Sequence, residues 1–71
     1  MAIRIQWNTI PGEGGFAYAT VKGMRVAHIV RSSGGEWDAF VTEPKLMGGG
    51  SHATSAKAKA RVRELLSQKE G

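Results

Sequence analysis

The chain has 71 residues, no cysteine and a formal net charge of +4. That length suits one domain, read as residues 1–71, close to the lower size at which a chain folds without covalent or metal staples. Disulfides and thiolate metal sites are excluded, and no apolar run approaches the roughly 20 residues that a membrane span requires. The opening Met1-Ala2-Ile3-Arg4-Ile5-Gln6-Trp7 lacks the apolar core and cleavage site of a signal peptide. The expectation is a soluble, cytoplasmic protein.

In chain order, a first strand is expected over about 2–8, where Ile3, Ile5 and Trp7 alternate with Arg4 and Gln6. The glycine-rich Pro11-Gly12-Glu13-Gly14-Gly15 reads as a flexible turn. A second strand is expected over about 15–21, with Phe16 and Tyr18 opposed to Ala17 and Ala19. Lys22-Gly23 then predicts a tight hairpin into a third strand over about 24–31. Strict alternation in that strand sets Met24, Val26, His28 and Val30 against Arg25, Ala27, Ile29 and Arg31. After Ser32-Ser33-Gly34-Gly35, a fourth strand over about 36–42 sets Trp37, Ala39 and Val41 against Asp38 and Phe40. Pro44 forbids simple continuation, and Gly48-Gly49-Gly50 reads as a release toward the helix.

The stretch from about 54 to 69 is rich in Ala, Lys, Arg, Glu, Leu and Gln, the residues that enter a helix at least cost. Thr54 or Ser55 supplies the cap, and Ala58, Val62, Leu65 and Leu66 fall on one narrow arc. The fold class is therefore α+β: an antiparallel meander of three to four strands (ββββα) with one C-terminal helix packed on one face. Phe16, Tyr18, Trp37 and Phe40 cannot all fit beneath one short helix. Some large apolar side chains are thus expected on the uncovered face, where they mark an interface; Tyr18, Trp37 and Phe40 are its candidates.

Charge is unevenly distributed. Up to residue 43, Arg4, Lys22, Arg25 and Arg31 are balanced by Glu13, Glu36, Asp38 and Glu43. Beyond it, Lys45, Lys57, Lys59, Arg61, Arg63 and Lys69 outnumber Glu64 and Glu70. A localised positive field favours a polyanion or an acidic protein surface as partner. The candidate nucleic-acid contacts are Arg4, Lys22, Arg25, Arg31, Lys57, Lys59, Arg61 and Arg63, since Lys and Arg neutralise phosphates and a sheet ribbon enters the major groove. A sheet face carrying Arg4, Gln6, Arg25 and Arg31 suits that role.

Enzymatic chemistry finds little support. His28 and His52 come without ligand spacing, so neither a metal site nor any cofactor is expected. Ser51 and His52 are adjacent, which points their side chains apart, and no nucleophile elbow surrounds them. Glu36 and Asp38 share a face but nothing suggests a raised pKa. Neither glycine run has the Gly-Lys-Ser/Thr of a phosphate loop.

Gly35-Glu36-Trp37-Asp38-Ala39-Phe40-Val41, followed by Gly48-Gly49-Gly50, Thr54 and Ala56-Lys57-Ala58, resembles the strand-strand-strand-helix domains of phage integrase arm-binding modules and of plant ethylene-response DNA-binding domains. It is also similar to short phage and prophage proteins. The resemblance covers roughly residues 15 to 66. It implies a sheet face that enters the major groove, with Arg4, Lys22, Arg25 and Arg31 as contacts, and a phage-encoded protein working in the host cytoplasm. Two functional expectations follow. One is a non-enzymatic accessory protein that binds nucleic acid. The other is a protein-interaction module, such as a phage modulator or inhibitor of a host complex, with homodimerisation through the uncovered sheet face as a variant.

Overall fold

The computed structural model describes residues 4–43 and 45–68. Five strands and one helix follow in chain order: β1 (Gln6–Ile10), β2 (Glu13–Val21), β3 (Met24–Arg31), β4 (Trp37–Val41), β5 (Met47–His52) and α1 (Ser55–Gln68). All neighbouring strands pair antiparallel, in the spatial order β1-β2-β3-β4-β5. The helix lies on one face, over β4 and β5 and reaching β3. The α+β class with a C-terminal helix on an antiparallel sheet is what the sequence predicts.

The strand count is one higher than predicted, because Gly48-Gly49-Gly50 is an edge strand and not a release loop. Its reason is steric. A Cβ built at Gly49 would stand 2.8 Å from the Ala39 Cβ and 3.2 Å from Arg61 Cγ, so only glycine lets β4, β5 and the helix meet there. One residue, Ala39, opposes Gly49 and Gly50 as the register shifts between Asp38 and Phe40, and Gly50 takes φ +78° to form the bulge.

The first hairpin is also tighter than its glycine content suggests. Only Pro11 and Gly12 turn, with Gly12 at φ +86°, and Glu13, Gly14 and Gly15 belong to β2. Those glycines absorb the irregular register between Thr9↔Ala17 and Ile10↔Glu13. Consequently β1 runs over Gln6–Ile10, shifted from the expected 2–8, and positions 1–3 lie outside the described residues. Lys22-Gly23 makes the predicted two-residue turn between Val21 and Met24, with φ of +54° and +80°, the doubly left-handed turn that matches strand twist.

The core is built of small residues. Ala17, Ala19, Ala27 and Ala39 are buried beside Ile29 and Val41 from the sheet, and Ala58, Val62, Leu65 and Leu66 come down from the helix. This is the arc predicted from sequence. Trp7, Trp37 and Met47 pack against its margins. The helix does not reach β1 or β2, and Lys59 bridges the gap: its Nζ lies 5.4 Å from the centroid of the Trp7 ring. At the helix start, Thr54 Oγ1 accepts from the Lys57 amide at 3.2 Å, while the Thr54 carbonyl accepts from Ala58. Thr54 is thus the cap.

Candidate nucleic-acid interface

Period-two alternation leaves a second sheet face that the helix does not cover. Its middle row follows the register Asn8↔Tyr18↔His28↔Phe40↔Gly48, with Phe16↔Val30↔Asp38↔Ser51 beside it. Phe16, Tyr18, His28 and Phe40 are all half-buried. Their rings form a connected row: Phe16 to Tyr18 at 6.4 Å, Phe16 to His28 at 5.8 Å and His28 to Phe40 at 5.2 Å between centroids. The Phe16–His28 pair is stacked, with 26° between planes.

Arg25 joins this face through a bulge that strict alternation misses. Ala19 opposes Ala27, but Thr20 opposes Arg25, so Val26 is an extra residue in β3. Val26 turns into the core at 8% exposure, and its carbonyl accepts the amides of Thr42 and Glu43. The parity of β3 changes across it. Arg25 therefore lies on the same face as His28, Val30, Thr20 and Gln6, where the alternating pattern had set it against His28. Its guanidinium carbon stands 4.8 Å from the Tyr18 centroid and 5.3 Å from that of Phe16. None of its nitrogens is engaged by a hydrogen bond or ion pair among the described residues, leaving the donors of a cation placed over two rings. Burial, and secondarily the Arg25 cation beside it, lowers the pKa of His28 below the usual histidine value. A neutral imidazole packs between two phenyl rings at lower cost than a cation.

The other predicted residues are dispersed. Tyr18 and Phe40 belong to the open face, but Trp37 does not: it opposes Arg31 in register, two residues from buried Ala39, and packs against the helix-side core. Arg31 shares that helix-side parity, and its Cβ lies 3.2 Å from the Cβ position of Gly15. The predicted set of Arg4, Gln6, Arg25 and Arg31 is accordingly split. Gln6 and Arg25 lie on the open face, Arg31 on the other, and Arg4 is exposed ahead of β1. Lys22 is exposed at the β2–β3 turn, three residues from Arg25. Lys57, Lys59, Arg61 and Arg63 ride on α1, in the layer behind the sheet. There Arg61 pairs with Glu64 at 2.9 Å and Lys59 covers Trp7. His28, Phe16 and the position of Arg25 over the rings are the features that sequence reasoning missed as members of one site.

Asp38 is an acidic member of the open face, as is Glu13 opposite Ile10 at its margin, and Asp38 Oδ1 accepts the Ser51 hydroxyl at 2.5 Å. Among the described residues no group of three or more His, Asp or Glu gathers as a metal site, and no helix is long and apolar enough to cross a membrane. Compared with protein-family models, with curated proteins and with solved structures, the chain matches none.

Proposed function

We propose that this chain is a non-enzymatic nucleic-acid-binding protein that uses the uncovered sheet face as its contact surface. The observation that carries the reading is the Phe16–Tyr18–His28–Phe40 row with the Arg25 guanidinium laid over it. Aromatic faces and a cation on a rigid sheet, in a chain of net charge +4, are the elements that nucleic-acid surfaces combine. The basic residues of α1 face away from that row. Their part is the long-range field that draws a polyanion in, with Arg25 and Lys22 making the local contacts.

Titration of the protein into labelled DNA and RNA at low and moderate salt tests this. Micromolar or tighter binding that weakens steeply with salt is expected. No binding at low salt rules the function out.

A second reading is favoured by Asp38, a carboxylate on the same face that repels phosphate. Under it the face docks a protein surface, with Arg25, Tyr18 and Phe40 as anchors. Retention of a defined host protein by wild type, and not by Phe40→Asp, in the absence of any nucleic-acid binding supports that alternative.

A further inference from the structure

We infer that the nucleic acid taken by this face is single-stranded, its bases laid on the Phe16–His28–Phe40 rings and its backbone held by Arg25; the inference rests on the nucleic-acid reading above. Two independent features of the sheet decide between a duplex and a strand.

The first is width. Strands in a sheet stand about 4.8 Å apart, so five of them span roughly 19 Å. The major groove of duplex DNA is about 12 Å wide and admits a helix or a narrow ribbon of strands. The ring row lies on β2, β3 and β4, with β1 on one side and β5 on the other. The flanking strands would meet the phosphate ridges before the central three reached the groove floor. A duplex therefore touches this face only across its ridges, where no base is available to a ring.

The second is chemistry. Reading base edges in a duplex needs hydrogen-bonding side chains such as Arg, Asn and Gln at the centre of the surface. Of such groups the central strands carry Arg25, placed over the Phe16 and Tyr18 rings, while Asn8 and Gln6 lie out on β1; the rest of the centre is Phe16, Tyr18, His28, Val30 and Phe40. Half-buried rings with centroids 5.2–6.4 Å apart make an aromatic patch there instead, and only unpaired bases can lay a face against such a patch. Arg25 lies over Phe16 and Tyr18 at one side of the row, its donors unengaged among the described residues, the place for a phosphate between neighbouring nucleotides. Asp38 lies on the other side, occupied by the Ser51 hydroxyl. That arrangement gives the strand a direction of charge across the sheet, backbone toward Arg25 and bases toward Phe40. Stacking is indifferent to sugar, so DNA and RNA strands share the same chemistry.

The test is fluorescence anisotropy with the full chain and three labelled probes of about 12 nucleotides, within the range such platforms occupy. They are oligothymidylate, oligouridylate and a mixed-sequence DNA duplex. Wild type is compared with Phe16→Leu and Phe40→Leu, which keep apolar bulk and lose the ring, and with Arg25→Gln, a change at an exposed position expected to leave the fold in place. Thermal unfolding of each variant checks the fold. Single strands are expected to bind more tightly than the duplex. Each ring substitution should then weaken strand binding between about 5- and 150-fold, and Arg25→Gln should flatten the salt slope by about 0.7. A preference for thymidylate or uridylate selects between DNA and RNA strands within the same inference. Duplex binding equal to or tighter than strand binding overturns it and leaves the nucleic-acid reading standing. Ring variants that fold and bind like wild type, or an unchanged slope in Arg25→Gln, also overturn it. No binding of any probe removes both.

Discussion

Gly49→Ala is the sharpest probe of how helix and sheet are joined. The new methyl carbon would stand 2.8 Å from Ala39 Cβ, 3.1 Å from the Ala39 carbonyl oxygen and 3.2 Å from Arg61 Cγ. Two of those neighbours belong to β4, whose Ala39 is 1% exposed beneath the helix, so they yield only if the strand moves. Forcing a methyl into a packed core costs about 1–3 kcal/mol. Replacing glycine by alanine returns about 0.4–1 kcal/mol by stiffening the unfolded chain. The net expectation is a loss of about 1–2 kcal/mol, or roughly 4–16 °C in melting temperature for a domain of this size. Two neighbours serve as controls. A Cβ at Gly48 meets nothing within 4 Å, so Gly48→Ala should be neutral or slightly stabilising. Gly50 has equally open space but sits at φ +78°, so Gly50→Ala should lose about 1–2 kcal/mol through backbone strain alone. Circular dichroism melts of the three variants give the pattern. A Gly49→Ala protein as stable as wild type would mean that β4 and the helix do not close on β5 at this point.

Three further outcomes follow from named contacts. Thr54→Ala removes the acceptor of the Lys57 amide and should destabilise the protein by about 1 kcal/mol in denaturant unfolding, with Thr54→Ser close to wild type. His28 has a lowered pKa in the folded state, so the unfolded chain binds its proton first as pH falls. Its contribution to stability is therefore complete above the unfolded value near 6.5 and is lost as pH drops below it. His28→Phe, which keeps the ring between Phe16 and Phe40, should flatten that part of the stability–pH profile; an unchanged profile would remove His28 as its source. Lys59→Ala should shift the fluorescence of Trp7 by uncovering its ring, a change followed in the Trp37→Phe background so that Trp7 alone reports; an unchanged spectrum would mean that Lys59 does not cover Trp7.

What the sequence reveals divides along physical lines. The helix and its buried arc were legible because Ala58, Val62, Leu65 and Leu66 repeat at helical spacing and all four become buried. The β2–β3 hairpin was legible because Lys22-Gly23 stands between two apolar runs and the doubly positive φ it adopts requires a residue such as glycine. β5 was hidden because three glycines carry no periodicity; what makes Gly49 strand-forming is the proximity of Ala39 and Arg61, which are distant in sequence. The candidate site depended on the extra residue at Val26. A valine gives no sign that it will sit in a bulge, and without the bulge Arg25 is counted on the wrong face. Trp37 illustrates the reverse case: its alternation with Ala39 and Val41 holds in the structure, and that same parity takes it away from Tyr18 and Phe40 and into contact with the core.

The measurement that bears most directly on the account is chemical-shift mapping of the ¹⁵N-labelled protein during addition of a short single-stranded oligonucleotide. The predicted result is that Phe16, Tyr18, Arg25, His28 and Phe40 shift together and saturably, while buried helix residues such as Ala58 and Val62 remain in place. Shifts confined to α1, or none at a concentration that saturates binding, would contradict the assignment of the open sheet face as the nucleic-acid surface.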